Sequence, residues 1–173
     1  MKKYDIVIGI DPGATGAISI KDKDGKISVF KMPKTTNELH GFLVDYSGKE
    51  NVFCFIEKVG AFVGDDPGKR FGIIKMIEQF KSIKVCLEIL KIPYIEIAAV
   101  TWQSRLKFKR IKGQSKTDRK RRYTNWAKKW VPGVKILATQ GDAVCILACG
   151  LKMIYNNDPL LGGDIHSQIE ELF

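Results

Sequence analysis

No run of apolar residues approaches the roughly 18 that a transmembrane helix requires, and Met1-Lys2-Lys3 leads into Tyr4 and Asp5 rather than into the apolar core of a signal peptide. A soluble, intracellular protein without a membrane partner is expected. Histidine is scarce: His40 and His166 are the two in the chain, and neither is near a cysteine in sequence. The four cysteines, Cys54, Cys86, Cys145 and Cys149, lack CxxC spacing and lie among apolar residues, which argues against a zinc site and for reduced core thiols. There is no internal repeat and no low-complexity tract. The most telling scarcity is local. Residues 105 to 122 hold ten lysines and arginines against one acid, Asp118, so nine of the chain's ten net positive charges lie in that stretch. A solvated charged face usually mixes signs, so this segment reads as a surface for a polyanion, with nucleic acid the leading partner. An anionic membrane fits less well, because the segment lacks a strong apolar face.

What is present is enough for one well-buried core: 173 residues, 45% of them hydrophobic. A single domain is expected, with its core from about residue 4 to 155. The chain is organised around residues 6 to 20, IVIGIDPGATGAISI. Val7, Ile8 and Ile10 suit a strand buried on both faces, and Pro12, Gly13 and Gly16 supply a tight turn after Asp11. A carboxylate held at a strand end beside glycine-rich backbone can bind a divalent cation, sit beneath nucleotide phosphates, or simply cap the turn. Asp-Pro-Gly alone does not choose among these.

Tyr4 to Asp11 and Ala17 to Lys21 read as the first two strands, joined to a third over Lys26 to Met32 by the turn Asp22-Lys23-Asp24-Gly25. Thr35 or Thr36 can cap a helix over Leu39, Phe42 and Leu43, and Asn51 to Lys58 is a buried fourth strand closed by Glu57. An acid directly after Val-Phe-Cys-Phe-Ile breaks the apolar pattern, as functional positions tend to. The glycine-rich residues 60 to 69 read as a loop carrying Phe62. Between Phe71 and Leu90 lie more apolar residues than one helical stripe needs, so this helix is expected to bury two faces, one on the sheet and the other on a partner subunit, although a break near Ser82 with a single deep core would read similarly. Tyr94 to Val100 reads as a short strand leading to Trp102, with Glu96 lacking an evident partner. Thr117 or Asp118 can cap a helix through Trp130, with Tyr123, Trp126, Ala127 and Trp130 as its core side. A last helix follows Gly141. On it Asp142, Cys145 and Cys149 fall at i, i+3 and i+7, so the acid shares the face that should pack on the sheet and needs a partner or a metal. Residues 157 to 173 suggest no role.

The order is therefore three strands, helix, strand, helix, strand, then helices, with acids at the ends of the first and fourth strands and at the start of the last helix. If those strands are parallel neighbours about 4.8 Å apart, both carboxylates leave one sheet edge and the helix acid can complete a cluster. Two divalent ions about 3.5–4 Å apart on such a cluster would activate a water and stabilise a leaving oxygen. Asp5 is excluded, since six strand residues at about 3.3 Å each place it roughly 20 Å away.

With these residues in view the sequence resembles the RuvC-type Holliday-junction resolvases of the RNase H-like superfamily. The resemblance rests on GIDPGATGAI (9 to 18), FIEKV (55 to 59), the basic stretch with its following helix (102 to 132) and GDAVCILACG (141 to 150), in that order and at matching spacing. The compact basic form is more similar to phage-type members. It implies an α/β fold with a mixed five-stranded sheet of order 3-2-1-4-5 flanked by helices. It further implies that Asp11, Glu57 and Asp142 ligate two magnesium ions, for which manganese substitutes, and that a cation of the basic segment, assigned here to Lys116, supports the scissile phosphate. Lys107, Lys109, Arg110, Lys112, Lys116, Arg119, Lys120 and Arg122 are the expected DNA-binding cations, and Phe62 is the candidate for the aromatic that wedges into the junction. The partners implied are four-way or branched DNA and a second copy of the chain, with Ile74 and Ile77 the chosen interface pair. No nucleotide cofactor is implied, and the setting is the cytoplasm of a bacterial cell or phage-infected host. The chain departs from many members at Thr139, where they carry an acid or histidine three residues before the helix acid; Gln140, a water or another acid would then complete the site. Other classes are weighed beside this one. An actin-like ATPase needs a second domain and phosphate loop, an inactive DNA-binding module leaves the acids unexplained, and a hybrid-cleaving ribonuclease would differ only in substrate.

Overall fold

The computed structural model describes residues 4–49, 51–60 and 67–156. Five strands form one sheet: β1 (Ile6–Asp11), β2 (Ala17–Lys21), β3 (Ile27–Lys31), β4 (Val52–Glu57) and β5 (Tyr94–Ile97), in the order β3-β2-β1-β4-β5. The first three make an antiparallel meander, while β4 and β5 join in parallel, as expected. The β2–β3 turn is fixed by Asp22, whose carboxylate accepts from the amides of Asp24 and Lys26, with Gly25 at φ +83°.

Helices cover both faces. On one side α1 (Thr36–Leu43) and α2 (Pro67–Ile89) close a core of Ile8, Ile10, Ile18, Cys54, Ile56, Ile83 and Leu87. On the other, α3 (Ala99–Arg105), α4 (Lys116–Trp130) and α5 (Gly141–Tyr155) close a core of Val7, Phe53, Phe55, Trp102, Tyr123, Cys145 and Leu147. The alternation of Val7 and Ile8, or of Phe53 and Cys54, between the two cores is the period-2 pattern of a strand covered on both sides. All four cysteines are buried thiols. Among the described residues no helix is long and apolar enough to cross a membrane.

α5 carries apolar residues around its whole circumference and is buried along nearly all its length. Its close seat on the sheet requires Gly9, where an added Cβ would meet the Leu147 backbone nitrogen at 2.6 Å. Gly141 is required in the same way against α4, where a Cβ would lie 2.6 Å from the Thr124 nitrogen. The fully buried Ser19 hydroxyl lies 2.8 Å from the Ala143 carbonyl oxygen, to which it donates, and so pins the first turn of α5 to β2.

Three expectations are corrected and one alternative is decided. Thr35 caps α1 as proposed, but α4 begins earlier than expected: its cap is Ser115, which accepts from the Asp118 amide while its hydroxyl donates to the Asp118 carboxylate. The serine and the acid three residues on thus bind each other through the serine hydroxyl, which uses Asp118 inside the helix rather than as its cap. The fifth strand stops at Ile97, and Ala99 to Arg105 is a helix that the β-branched Val100-Thr101 pair concealed. Glu96 has a partner, since Lys84 reaches across from α2 to within 2.7 Å of it. Lastly, α2 runs through Ser82 without a break. Its inner face buries Phe80, Ile83, Cys86 and Leu87, and Phe71, Ile74, Val85 and Ile89 stand exposed along the opposite stripe, with Ile77 half-buried at the flank.

Candidate active site and nucleic-acid interface

β1 and β4 pair in parallel with Ile10 opposite Ile56, so the next residues, Asp11 and Glu57, end neighbouring strands at one edge. Asp142 enters from the first turn of α5, which the Gly9 and Ser19 contacts hold against the same edge. Each of the three acids is raised above its usual carboxylate range, and in each the largest cause is burial. For Asp11, the most affected, Asp142 and then Glu57 raise it further, and Lys120 and Lys116 oppose the rise. For Glu57 the hydrogen bond from Trp102 offsets part of the burial, as Lys120 and Arg119 do, whereas Asp142 adds to it. For Asp142 the opposing cations are Lys120, Arg119 and Lys116. The three acids thus feel one another's charge. Lys116, Arg119 and Lys120, at i, i+3 and i+4 on α4, present one helical face to them.

Two acids are held by other partners. Trp102 Nε1–H donates to Glu57 Oε2 at 2.8 Å, and Lys120 Nζ lies 3.4 Å from Asp142 Oδ2. In this arrangement no three Asp, Glu, His or Cys side chains among the described residues converge closely enough to hold an ion. The donor set nevertheless suits a hard divalent cation. It is all oxygen, Asp11 is buried and Glu57 and Asp142 are half-buried, and their mutual repulsion and desolvation are what a bound cation would relieve. A shared ion would need Glu57 or Asp142 to re-aim, and Lys120 is the cation that would be displaced.

Gln140 is not free to complete the set, because its side-chain oxygen accepts from the Leu137 amide at 2.8 Å, and Thr139 is exposed. Asp5 is exposed at the far end of β1, where Asn51 approaches it at 3.4 Å. Phe62 lies outside the described residues.

The expected DNA-binding cations divide into two groups. Lys116, Arg119 and Lys120 face the acids. Lys107, Lys109, Arg110 and Lys112 instead lie on the segment between α3 and α4, where with Arg119 and Arg122 they line a cavity of about 980 Å³ that has no acidic side chain in its wall. The Arg122 guanidinium sits 5.6 Å from the ring centres of both Phe108 and Tyr123, and its Nε is buried without a hydrogen-bond partner. Arg119 belongs to both groups and connects the cavity to the acids. Of the aromatic side of α4, Tyr123 is core, whereas Trp130 is partly open and stacks on Trp126 at 5.8 Å.

Sequence reasoning missed Trp102 as a partner of Glu57, Ser19 as the pin of α5, and the direct contact of Lys120 with Asp142. A tryptophan following β5 at short range was the one available signal for the first. The other two depend on contacts between distant segments.

No protein-family model and no curated protein sequence matches the chain. Solved structures do. The chain is similar to RuvC from T. thermophilus in complex with a Holliday junction substrate, with a TM-score of 0.58 at 11% identity over 90% of this chain and 98% of that one. The chain has a RuvC-like fold. A second structure of Thermus thermophilus RuvC gives a TM-score of 0.55, again at 11% identity, over 88% of this chain and 97% of that one. With so low an identity, it is the RuvC-like path of the backbone that is shared, including the sheet order that sets Asp11 beside Glu57.

Proposed function

We propose that this chain is a divalent-metal-dependent endonuclease of branched DNA that resolves four-way junctions by paired, symmetric cuts as a homodimer. The observation that carries the reading is the meeting of Asp11, Glu57 and Asp142 at one sheet edge beneath the Lys116, Arg119 and Lys120 face of α4. Acids and cations side by side at one sheet edge suit a phosphodiester, which needs its charge neutralised and its bridging bond exposed to water.

Asp11, Glu57 and Asp142 would hold magnesium, two ions in the full site with manganese able to substitute, and the bound metal would supply an activated water and a stabilised leaving oxygen. Lys116, within electrostatic reach of Asp11 and Asp142, supports the scissile phosphate. Hydrolysis joins the water oxygen to phosphorus and breaks one bridging P–O bond, and the departing oxygen takes up a proton. Lys107, Lys109, Arg110 and Lys112 grip backbone phosphates away from the reacting one, which fixes register without reading bases. The exposed stripe of α2 supplies the second copy's docking face, so that two sites meet two opposed strands. A cytoplasmic setting goes with such a substrate.

Purified protein with magnesium is to be incubated with a synthetic four-way junction, a linear duplex and an RNA–DNA hybrid. Paired nicks at symmetric positions in the junction are expected, with the duplex uncut. Cutting of the hybrid alone would assign the site to a ribonuclease, and no cutting of any with either metal would remove the enzymatic reading.

A further inference from the structure

We propose that Trp102 is a positioning residue for Glu57: its indole N–H holds one carboxylate oxygen, so that the other is the one presented to a divalent ion. The proposal rests on the reading of Glu57 as a metal ligand.

The geometry is specific. Trp102 is 1% exposed, and its Nε1–H donates to Glu57 Oε2 at 2.8 Å. A buried indole N–H needs an acceptor, and in most cores a backbone carbonyl serves. Here the acceptor is an acid at the end of an apolar strand, and a charged acceptor makes the stronger bond. The placement follows from the chain path. β4 and β5 pair with Glu57 opposite Ile97, the Lys58 amide donates to the Ile97 carbonyl, and α3 starts two residues later. The first turn of α3 therefore carries Trp102 back to the strand end it has just left.

The ring is itself held. Tyr123 meets it edge-on at 4.9 Å and Phe108 at 6.2 Å. Tyr123 comes from the helix that carries Lys116, Arg119 and Lys120, and Phe108 from the basic segment that lines the large cavity. Trp102 thus joins one acid of the site to both groups of cations. A carboxylate with one oxygen fixed by a rigid donor loses rotational freedom, as hydrogen bonds behind metal ligands generally achieve, so that Asp142, once released from Lys120, is the acid that re-aims toward a shared ion.

The test uses Trp102→Phe, which keeps an aromatic ring and deletes the donor. Calorimetric titration of magnesium into the full-length protein should show Kd raised about 10-fold or more. Band-shift affinity for a four-way junction in the absence of metal should stay within about twofold. The unmodified protein gives a second, independent reading. Of its three indole N–H resonances, that of Trp102 should lie downfield, shift on titration with magnesium, and move upfield in Glu57→Gln. A folded Trp102→Phe protein with unchanged magnesium Kd, or a Trp102 resonance indifferent both to magnesium and to Glu57→Gln, overturns the proposal. If the variant does not fold, the resonance decides alone. The two readings fail separately: a Glu57→Gln protein that binds magnesium normally removes Glu57 as a ligand and undermines the proposed function, whereas lost binding in Glu57→Gln with normal binding in Trp102→Phe removes only the role of Trp102.

Discussion

Asp11 and Glu57 occupy equivalent positions on adjacent parallel strands, each one residue beyond the paired Ile10 and Ile56, so both carboxylates leave the sheet at the same edge. Asp142 joins them from a helix, and the chemistry proposed here needs all three. Asp11→Asn, Glu57→Gln and Asp142→Asn are each expected to lower magnesium-dependent cleavage by about a thousandfold or more, roughly 4 kcal/mol of barrier, with junction binding largely retained. Cleavage gels and band shifts on each variant provide the check, and a variant that cuts near the unmodified rate takes that residue out of the site.

The same burial that prepares Asp11 for a cation works against the metal-free fold. Its folded-state pKa lies well above the ordinary aspartate value, so between that value and the raised one the folded protein binds more protons than the unfolded chain. Stability should therefore fall as pH rises through this window, and be recovered on acidification toward the ordinary aspartate range. Asp11→Asn, which cannot ionise, should raise the metal-free Tm at pH 8 and have little effect near pH 4. For a chain of this size each kcal/mol relieved is worth roughly 2–4 °C. Thermal melts at the two pH values measure it, and an equal change at both would mean that charge is not the cause.

Thr139 is exposed, one residue before the cap of α5, and Gln140 is committed to the Leu137 amide. An acid introduced as Thr139→Asp should preserve or raise cleavage if a ligand at this position is what the site lacks. Steady-state rates across a magnesium series read the effect, and complete loss of activity would count against the placement of this helix at the reaction.

Binding should depend steeply on salt. If about five to eight cations meet phosphates, the logarithm of affinity falls against the logarithm of salt with a slope of about −0.9 per contact. The combined change Lys109→Ala, Arg110→Ala and Lys112→Ala touches the cavity wall and leaves the α4 face intact, so it should reduce that slope by about 3 while single-turnover cleavage at saturation stays within a few fold. A flat salt dependence in the unmodified protein would contradict phosphate-led binding.

The exposed stripe of α2 leads to a prediction of assembly. Phe71 and Ile74 at one end of this band and Val85 and Ile89 at the other are apolar side chains that a lone chain would leave in water, with Glu78 and Lys81 exposed between them. The sequence choice of Ile74 stands on this band, but Ile77 does not, so Ile74→Lys with Val85→Lys is the better disruption. The unmodified protein should sediment as a dimer at micromolar concentration. The double variant should be a folded monomer that nicks a junction once. A monomeric unmodified protein, both free and on junction DNA, would end the idea.

How much of this was visible beforehand depended on the range of the interaction. Asp11 and Glu57 each interrupt an apolar run, and Asp142 sits on a face of otherwise buried residues, so local pattern exposed all three. Sheet order followed from the resemblance and from short connections. What pattern could not show were pairs whose members meet only through tertiary register. Lys84 finds Glu96 because α2 crosses over β5, Trp102 finds Glu57 because β4 and β5 pair in register, and Ser19 finds Ala143 because α5 lies on β2. The cap of α4 was missed for a local reason. Ser115, Thr117 and Asp118 are all good caps in isolation, and the serine wins because the acid three residues on can answer it.

The burial of all four native thiols gives the protein a practical property. Cys54 and Cys86 lie in one core and Cys145 and Cys149 in the other, so in the folded state none offers a thiolate to a maleimide. A cysteine introduced on the basic segment by Lys109→Cys would be the single reactive handle, without removal of any native residue. A dye placed there would stand at the rim of the cavity and, on the function proposed above, would report one molecule at a time when a DNA arm arrives and when cut products leave.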